Sequence, residues 1–241
     1  MREVLVHTSR RTIGPGMYVV LLLGAIGPAW AGDAKAVYPA MASIEQYRSP
    51  SASEEIALAR SAAPTSISGD ADILTLGDHG YETAAKGKNG FVCMVWRSWT
   101  AEFDNTEFWN PKLRGPICLN PAAARTVLPG YLERTRWVLA GVSKPDMIER
   151  TRAAVASSAF KAPEPGAMSF MMSKQQYVAD ASGHWHPHLM FFVARTNGAA
   201  WGANLDGSPI FASQSDPEPV TTFIVPVPKW SDGTLAAMET H

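Results

Sequence analysis

Three histidines at alternate positions form the most chemically suggestive stretch of this 241-residue sequence, GHWHPHLMFF (183–192). Imidazole nitrogens are good ligands for zinc and related divalent ions. Residues two apart on an extended chain point the same way, about 7 Å from each other, so a pair of such rings can hold one ion. The pattern predicts a divalent metal site, with zinc as one candidate metal and with His184, His186 and His188 as ligands. Hydrogen-bonded histidines with a structural role are the alternative interpretation.

Chain geometry limits how these histidines could share one ion. Three alternate residues span about 13 Å when the chain is extended, so all three can bind the same ion only if the chain bends. Pro187 has no N–H and is typical of a strand start, which predicts a strand from His188 onward, with the other two histidines in the preceding loop. We expect His188 to pack at the strand entry. Further ligands of suitable type are Asp78, His79, Glu102 and Asp180.

Tryptophans in loops are the second group of candidate binding residues. Trp185 lies between two of the histidines, and Trp201 opens the glycine-rich segment WGANLDGSP (201–209). Aromatic rings on loops can bind sugars or apolar ligands, so both are candidate ligand-binding residues. The competing interpretation is that the aromatic residues fill the core beneath long loops, especially those between Cys93 and Cys118: Trp96, Trp99, Phe103, Phe108 and Trp109.

The sequence contains none of several motifs that would assign a reaction. It has no Gly-x-Ser-x-Gly, no phosphate-binding glycine loop, no His-Glu-x-x-His and no Cys-x-x-Cys. Three hypotheses remain. The protein is a small-ligand or metal-binding module, a metal-dependent hydrolase in which the ion activates water, or a structural or interaction protein of the cell envelope.

The N-terminal segment has the features of an export signal. Three arginines precede the apolar run at 17–27, and Ala-Trp-Ala (29–31) matches a signal-peptidase site. We expect residues 1–31 to be cleaved near Ala31, giving a periplasmic or secreted protein. The run is shorter than the roughly 20 residues that span a bilayer, so no membrane span is expected in the mature chain. SRRTIG (9–14) partly resembles a twin-arginine signal, which leaves two export routes open.

Charge and cysteine content narrow the class of protein further. The chain has 21 basic and 22 acidic residues, a formal net charge of −1, which does not favour nucleic acid as a partner. Both cysteines, Cys93 and Cys118, follow the predicted cleavage site, and an oxidising compartment favours a disulfide between them. A catalytic thiol is the alternative.

Hydrophobic patterning predicts an α+β fold. We expect a mainly antiparallel sheet with two or three helices packed on it, residues 32–64 forming a loose N-terminal arm with a short helix, and 65–241 forming one globular domain. The helix at 120–141 should break at Pro129-Gly130, with Arg134 pointing away from its apolar face. The other predicted helices are 49–64 and 143–160, and the predicted strands are 72–77, 81–86, 90–99, 167–173, 188–195 and 220–227.

Several segments resemble a group of secreted bacterial proteins that have no known activity. They are EFWNPKLRGPICLNPAAARTVLPGYLERTRWVLAG (107–141), GAMSFMMSKQQY (166–177), GHWHPHLMFF (183–192) and PVTTFIVPVPKWSDGT (219–234). The resemblance extends over most of residues 65–235. It implies an intact domain, and it implies no particular activity, cofactor or fold.

Overall fold

The computed structural model describes residues 37–237, so the predicted signal peptide of residues 1–31 lies outside the described part. All of these described residues belong to one compact unit. Among the described residues, no helix has both the length and the apolar character needed to cross a membrane.

A single mixed sheet organises residues 37–237. Its strands are β1 Asp72–Leu76, β2 Tyr81–Ala85, β3 Val92–Trp96, β4 Gly115–Leu119, β5 Met168–Met171, β6 His188–Ala194, β7 Phe211–Ser213 and β8 Val220–Pro226. They lie in the order β2-β1-β3-β4-β5-β6-β8-β7. All neighbouring pairs are antiparallel except β1 and β3, which are parallel, so the predicted α+β class with a mainly antiparallel sheet is confirmed.

The sheet consists of two halves, each contiguous in sequence. Residues 72–119 contribute β2-β1-β3-β4, and residues 168–226 contribute β5-β6-β8-β7. The halves meet at β4 and β5, where only Cys118↔Phe170 and Leu119↔Ser169 are paired. By contrast, β6 and β8 are paired at seven positions. We call the β4–β5 boundary the seam.

The described residues contain five α-helices, more than the two or three expected. They are α1 Ala52–Arg60, α2 Thr65–Ser68, α3 Pro121–Thr126, α4 Leu128–Leu139 and α5 Lys144–Ala156. Three start at a polar cap whose side chain accepts a hydrogen bond from a backbone N–H of the first turn: Ser51, Asn120 and Ser143. The break between α3 and α4 falls at Val127 rather than at Pro129-Gly130. Proline fits the first turn of a helix, so Pro129 helps to begin α4 and does not end it.

Strand β4 is absent from the strands that the sequence predicts, so the prediction missed it. All five of its residues are buried, and Pro116 pairs with Val95 of β3. Because the strand is apolar on both faces and contains proline, it shows no alternating pattern in the sequence. The predicted disulfide is confirmed, and it joins Cys93 to Cys118 at directly opposite positions of β3 and β4.

The two faces of β3 belong to different parts of the core. Met94 and Trp96 face α3 and α4, on what we call the α4 face of the sheet. Cys93 and Val95 face the opposite way and pack near α1. The central strand is therefore covered on both sides.

The N-terminal arm is not loose where it approaches α1. Tyr47 ends a 3₁₀ helix, is fully buried and packs against Trp99 with ring centroids 4.8 Å apart. Its hydroxyl donates to the carbonyl oxygen of Trp109 at 2.8 Å. Its aromatic ring buries apolar surface in the core, whereas the small alanine side chains of the surrounding segment have little such surface to bury.

Candidate functional site

A cavity of about 260 Å³ lies against the α4 face of the sheet. Its floor is formed by residues from six strands. Along β8, the alternation of side chains decides which residues face the cavity. Val220, Thr222 and Ile224 line the cavity, while Thr221 and Phe223 point to the opposite face. The other floor residues are Trp96, Gly115, Met171, His188, Met190 and Ser213.

The roof is formed by the α3–α4 junction and by the loop after α5. Tyr131 of α4 meets Trp96 edge to face, with ring centroids 5.4 Å apart. Gly115 leaves room for this pair, since a Cβ there would lie 3.1 Å from both the Cβ of Trp96 and the Cε of Met171. The remaining roof residues include Thr126, Val127, Gly130, Arg134, Phe160, Lys161 and Pro163. The lining of the cavity is therefore rich in aromatic and aliphatic groups.

Arg134 lies inside the protein, contrary to the expectation that it points away from the apolar face of its helix. It is 5% exposed, forms an ion pair with Glu218 and donates to the carbonyl oxygen of Ala101 at 2.8 Å. Its guanidinium lies 4.1 Å from the ring centroid of Phe103. Burial lowers its pKa to about 10, so it stays charged at neutral pH. The loop after β3 covers this side of α4, which no pattern within the helix reveals.

His188 contributes a neutral imidazole to the cavity floor. It is 3% exposed, and burial lowers its pKa to about 4. Its Nδ1–H donates to the carbonyl oxygen of His186 at 2.8 Å, and the ring of Trp185 packs on it at 4.7 Å. In a neutral ring with Nδ1 protonated, Nε2 carries the lone pair and accepts hydrogen bonds. His188 begins β6 and packs there, as expected.

The three histidines are not gathered into a set of metal ligands. His184 donates from Nδ1 to the carbonyl oxygen of Gln176 at 2.8 Å. Gln176 in turn donates to the carbonyl oxygens of Trp185 and His186, so backbone contacts fix the shape of this loop. Within residues 37–237 no three His, Cys, Asp or Glu side chains lie close enough together to hold a metal ion. The predicted zinc or other divalent metal site at His184, His186 and His188 has no such ligand group in the described part of the chain.

The acidic residues considered as further metal ligands have other partners. Asp78 forms an ion pair with Arg48. Asp180 accepts hydrogen bonds from the hydroxyls of Tyr38 and Tyr177, which hold its pKa well below the usual range. These contacts tie surface loops together.

The two tryptophans proposed as ligand-binding residues lie in different places. Trp185 lines the cavity and meets Phe211 edge to face at 5.7 Å. Trp201 is 58% exposed and stacks on Phe223 with ring centroids 5.0 Å apart, on the face opposite the cavity. Most aromatic residues after β3 fill the core as the competing interpretation predicted, with Trp99, Phe103 and Phe108 buried.

A second, more polar cleft of about 660 Å³ adjoins the cavity. It lies between the loop that follows β3 and the segment 197–205, beside β7. The two spaces share three lining residues: Glu102, Asn105 and Ser213. The Ser213 hydroxyl donates a hydrogen bond to the carboxylate of Glu102, so this contact lies where the cavity and the cleft meet.

Comparisons with protein-family models, with curated proteins and with solved structures find no match for this chain. Function is therefore inferred from the geometry of the cavity and the chemistry of its walls.

Proposed function

We propose that the protein binds a small, mainly apolar molecule in the cavity beneath α4. The observation that carries this proposal is a partly open cavity of about 260 Å³ whose lining is mainly apolar and contains several aromatic rings. Ligand pockets for drug-sized molecules measure about 300–1,000 Å³, so this cavity suits a ligand at or below the small end of that range.

The walls indicate what such a ligand looks like. Met171, Met190 and Ile224 supply aliphatic contact, and Trp96 supplies an aromatic surface. The lining also carries polar and charged side chains, among them Thr222, His188 and Arg134. Desolvation raises the pKa of Tyr131, so its phenol stays protonated and can donate a hydrogen bond. A compact aromatic or aliphatic body with one or two polar groups fits this chemistry best.

From the expected export signal we infer that this binding takes place in the periplasm or outside the cell. The disulfide is compatible with an oxidising compartment. The metal-binding module, the metal-dependent hydrolase and the structural envelope protein stay predictions, because no observation on the described residues favours them over the cavity.

The cavity can be tested with a neutral fluorescent probe, N-phenyl-1-naphthylamine. We expect its fluorescence to rise on binding the purified mature protein and to fall when 3-phenylpropanol is added as a competitor. Thr222→Phe places a ring in the cavity and should weaken probe binding by about tenfold or more, which is about 1.4 kcal/mol.

The matched control is Val193→Phe on β6, where alternation with the cavity residue Met190 and with Phe192 points the side chain to the opposite face. It should leave probe affinity unchanged. Thermal melting confirms that both variants are folded. Equal loss in both variants, or no fluorescence increase with the wild type, would contradict the proposal.

A further inference from the structure

Glu102 occupies the junction between the apolar cavity and the polar cleft. It lines both spaces, and its carboxylate accepts a hydrogen bond from the neutral hydroxyl of Ser213. The residue is partly buried. A molecule that extends from the cavity into the cleft passes this carboxylate.

The charge of Glu102 is not balanced by an ion pair of its own. None of the ion pairs formed by residues 37–237 includes it. Arg134 interacts electrostatically with Glu102, but its guanidinium is paired with Glu218. Lys161 of the cavity roof is exposed, and its charge acts on Glu164.

The cleft beyond Glu102 also carries negative charge. Its described lining includes a second carboxylate, Asp104, and no lysine, arginine or histidine. A partly desolvated carboxylate gains from a cation that replaces lost water contacts, and a charge-assisted hydrogen bond is stronger than a neutral one.

We propose that the ligand of this cavity is an amphipathic amine, with its apolar body beneath α4 and its ammonium group against the carboxylate of Glu102. This inference rests on the proposed function and adds the charge of the ligand to it. The ammonium group donates to the carboxylate while its remaining N–H groups face the polar cleft. An anion of the same shape meets an unfavourable charge at this point.

Three compounds with the same phenylpropyl body test the proposal: 3-phenylpropylamine, 3-phenylpropanol and 3-phenylpropionate. Calorimetric titration of the wild type at pH 7 and low salt should show the amine binding about tenfold tighter than the alcohol. The propionate should bind more weakly than either. Glu102→Gln should remove the preference for the amine over the alcohol, while the control Asp104→Asn should retain most of that preference.

The possible results separate the two proposals. If none of the three compounds binds to the wild type, the proposed function and the charge preference both fail. If the amine and the alcohol bind equally, the cavity stands and the amine proposal is overturned. If Glu102→Gln is folded and keeps the full preference, the assignment to Glu102 is overturned. The order of the three affinities for the wild type decides the charge preference even if Glu102→Gln does not fold.

Discussion

Replacing Glu55 with leucine should lower the free energy of unfolding by about 3–5 kcal/mol, because it leaves a buried arginine without its counter-ion. Arg97 is fully buried and donates to the carbonyl oxygens of Tyr47 and Val95, each at 2.5 Å. Its Nη2 pairs with Oε1 of Glu55 at 3.0 Å. The same carboxylate oxygen accepts the backbone N–H of Leu76 at 3.1 Å. The pair therefore connects α1 with β1 and β3.

A double-mutant cycle separates the ion pair from general packing. Arg97→Met alone should also be strongly destabilising, since it leaves the Glu55 carboxylate buried. The combination Glu55→Leu/Arg97→Met removes both charges, and we expect it to lose about 2 kcal/mol less than the sum of the single variants. Urea unfolding followed by tryptophan fluorescence at pH 7, with the disulfide intact, measures all four proteins.

The exposed pair Arg125–Glu164 is the control for this cycle. Its N···O distance of 2.6 Å is as short as that of a strong ion pair, but its side chains are 60% and 40% exposed. Solvent screening should leave no measurable coupling there. If the losses of the two single variants sum to the loss of the double variant within about 0.5 kcal/mol, the view that Glu55 and Arg97 stabilise the fold as a charge pair is refuted.

Two further measurements test the crosslink and the buried histidine. Cys93→Ala/Cys118→Ala should lower the free energy of unfolding in urea by about 3 kcal/mol, since the 25-residue separation sets the entropy of the closed loop. An unchanged urea midpoint would contradict this. The pKa of His188 falls from 6.5 when unfolded to about 4 when folded, so the unfolded chain binds more protons between these pH values. Stability should therefore fall as pH drops from 6.5 to 4, by up to about 1.4 kcal/mol per pH unit from this group. His188→Gln should flatten the slope, and an unchanged slope would rule out this origin.

Local signals in the sequence predicted much of the fold correctly. Helix starts at Ser51, Asn120 and Ser143 follow from side chains that satisfy nearby N–H groups, which is chemistry within one turn. The two buried faces of β3 follow from its alternating side chains. Strand β4 was missed because Pro116 and continuous burial give no periodic signal.

The candidate site was only partly predictable, because its walls come from segments far apart in sequence. Trp185 and His188 were singled out by residue type, and both line the cavity. Tyr131 falls on the apolar face of the helix predicted at 120–141, but nothing local shows that a cavity lies beside it. Thr222 could have been found, since VTTFIVPV alternates and places it beside Val220 and Ile224 on one face.

The seam between β4 and β5 has a consequence for how the cavity comes into existence during folding. Each four-stranded half is built from one continuous stretch of chain, so its strands can pair through contacts that are mostly closer in sequence than those across the seam. The cavity floor takes Trp96 and Gly115 from the first half and Met190 and Ile224 from the second. Neither half lines the whole cavity alone. The cavity is therefore complete only when β4 and β5 pair at their two positions across the seam. Ligand binding thus reports the docking of the two halves, which the secondary structure of each half does not reveal.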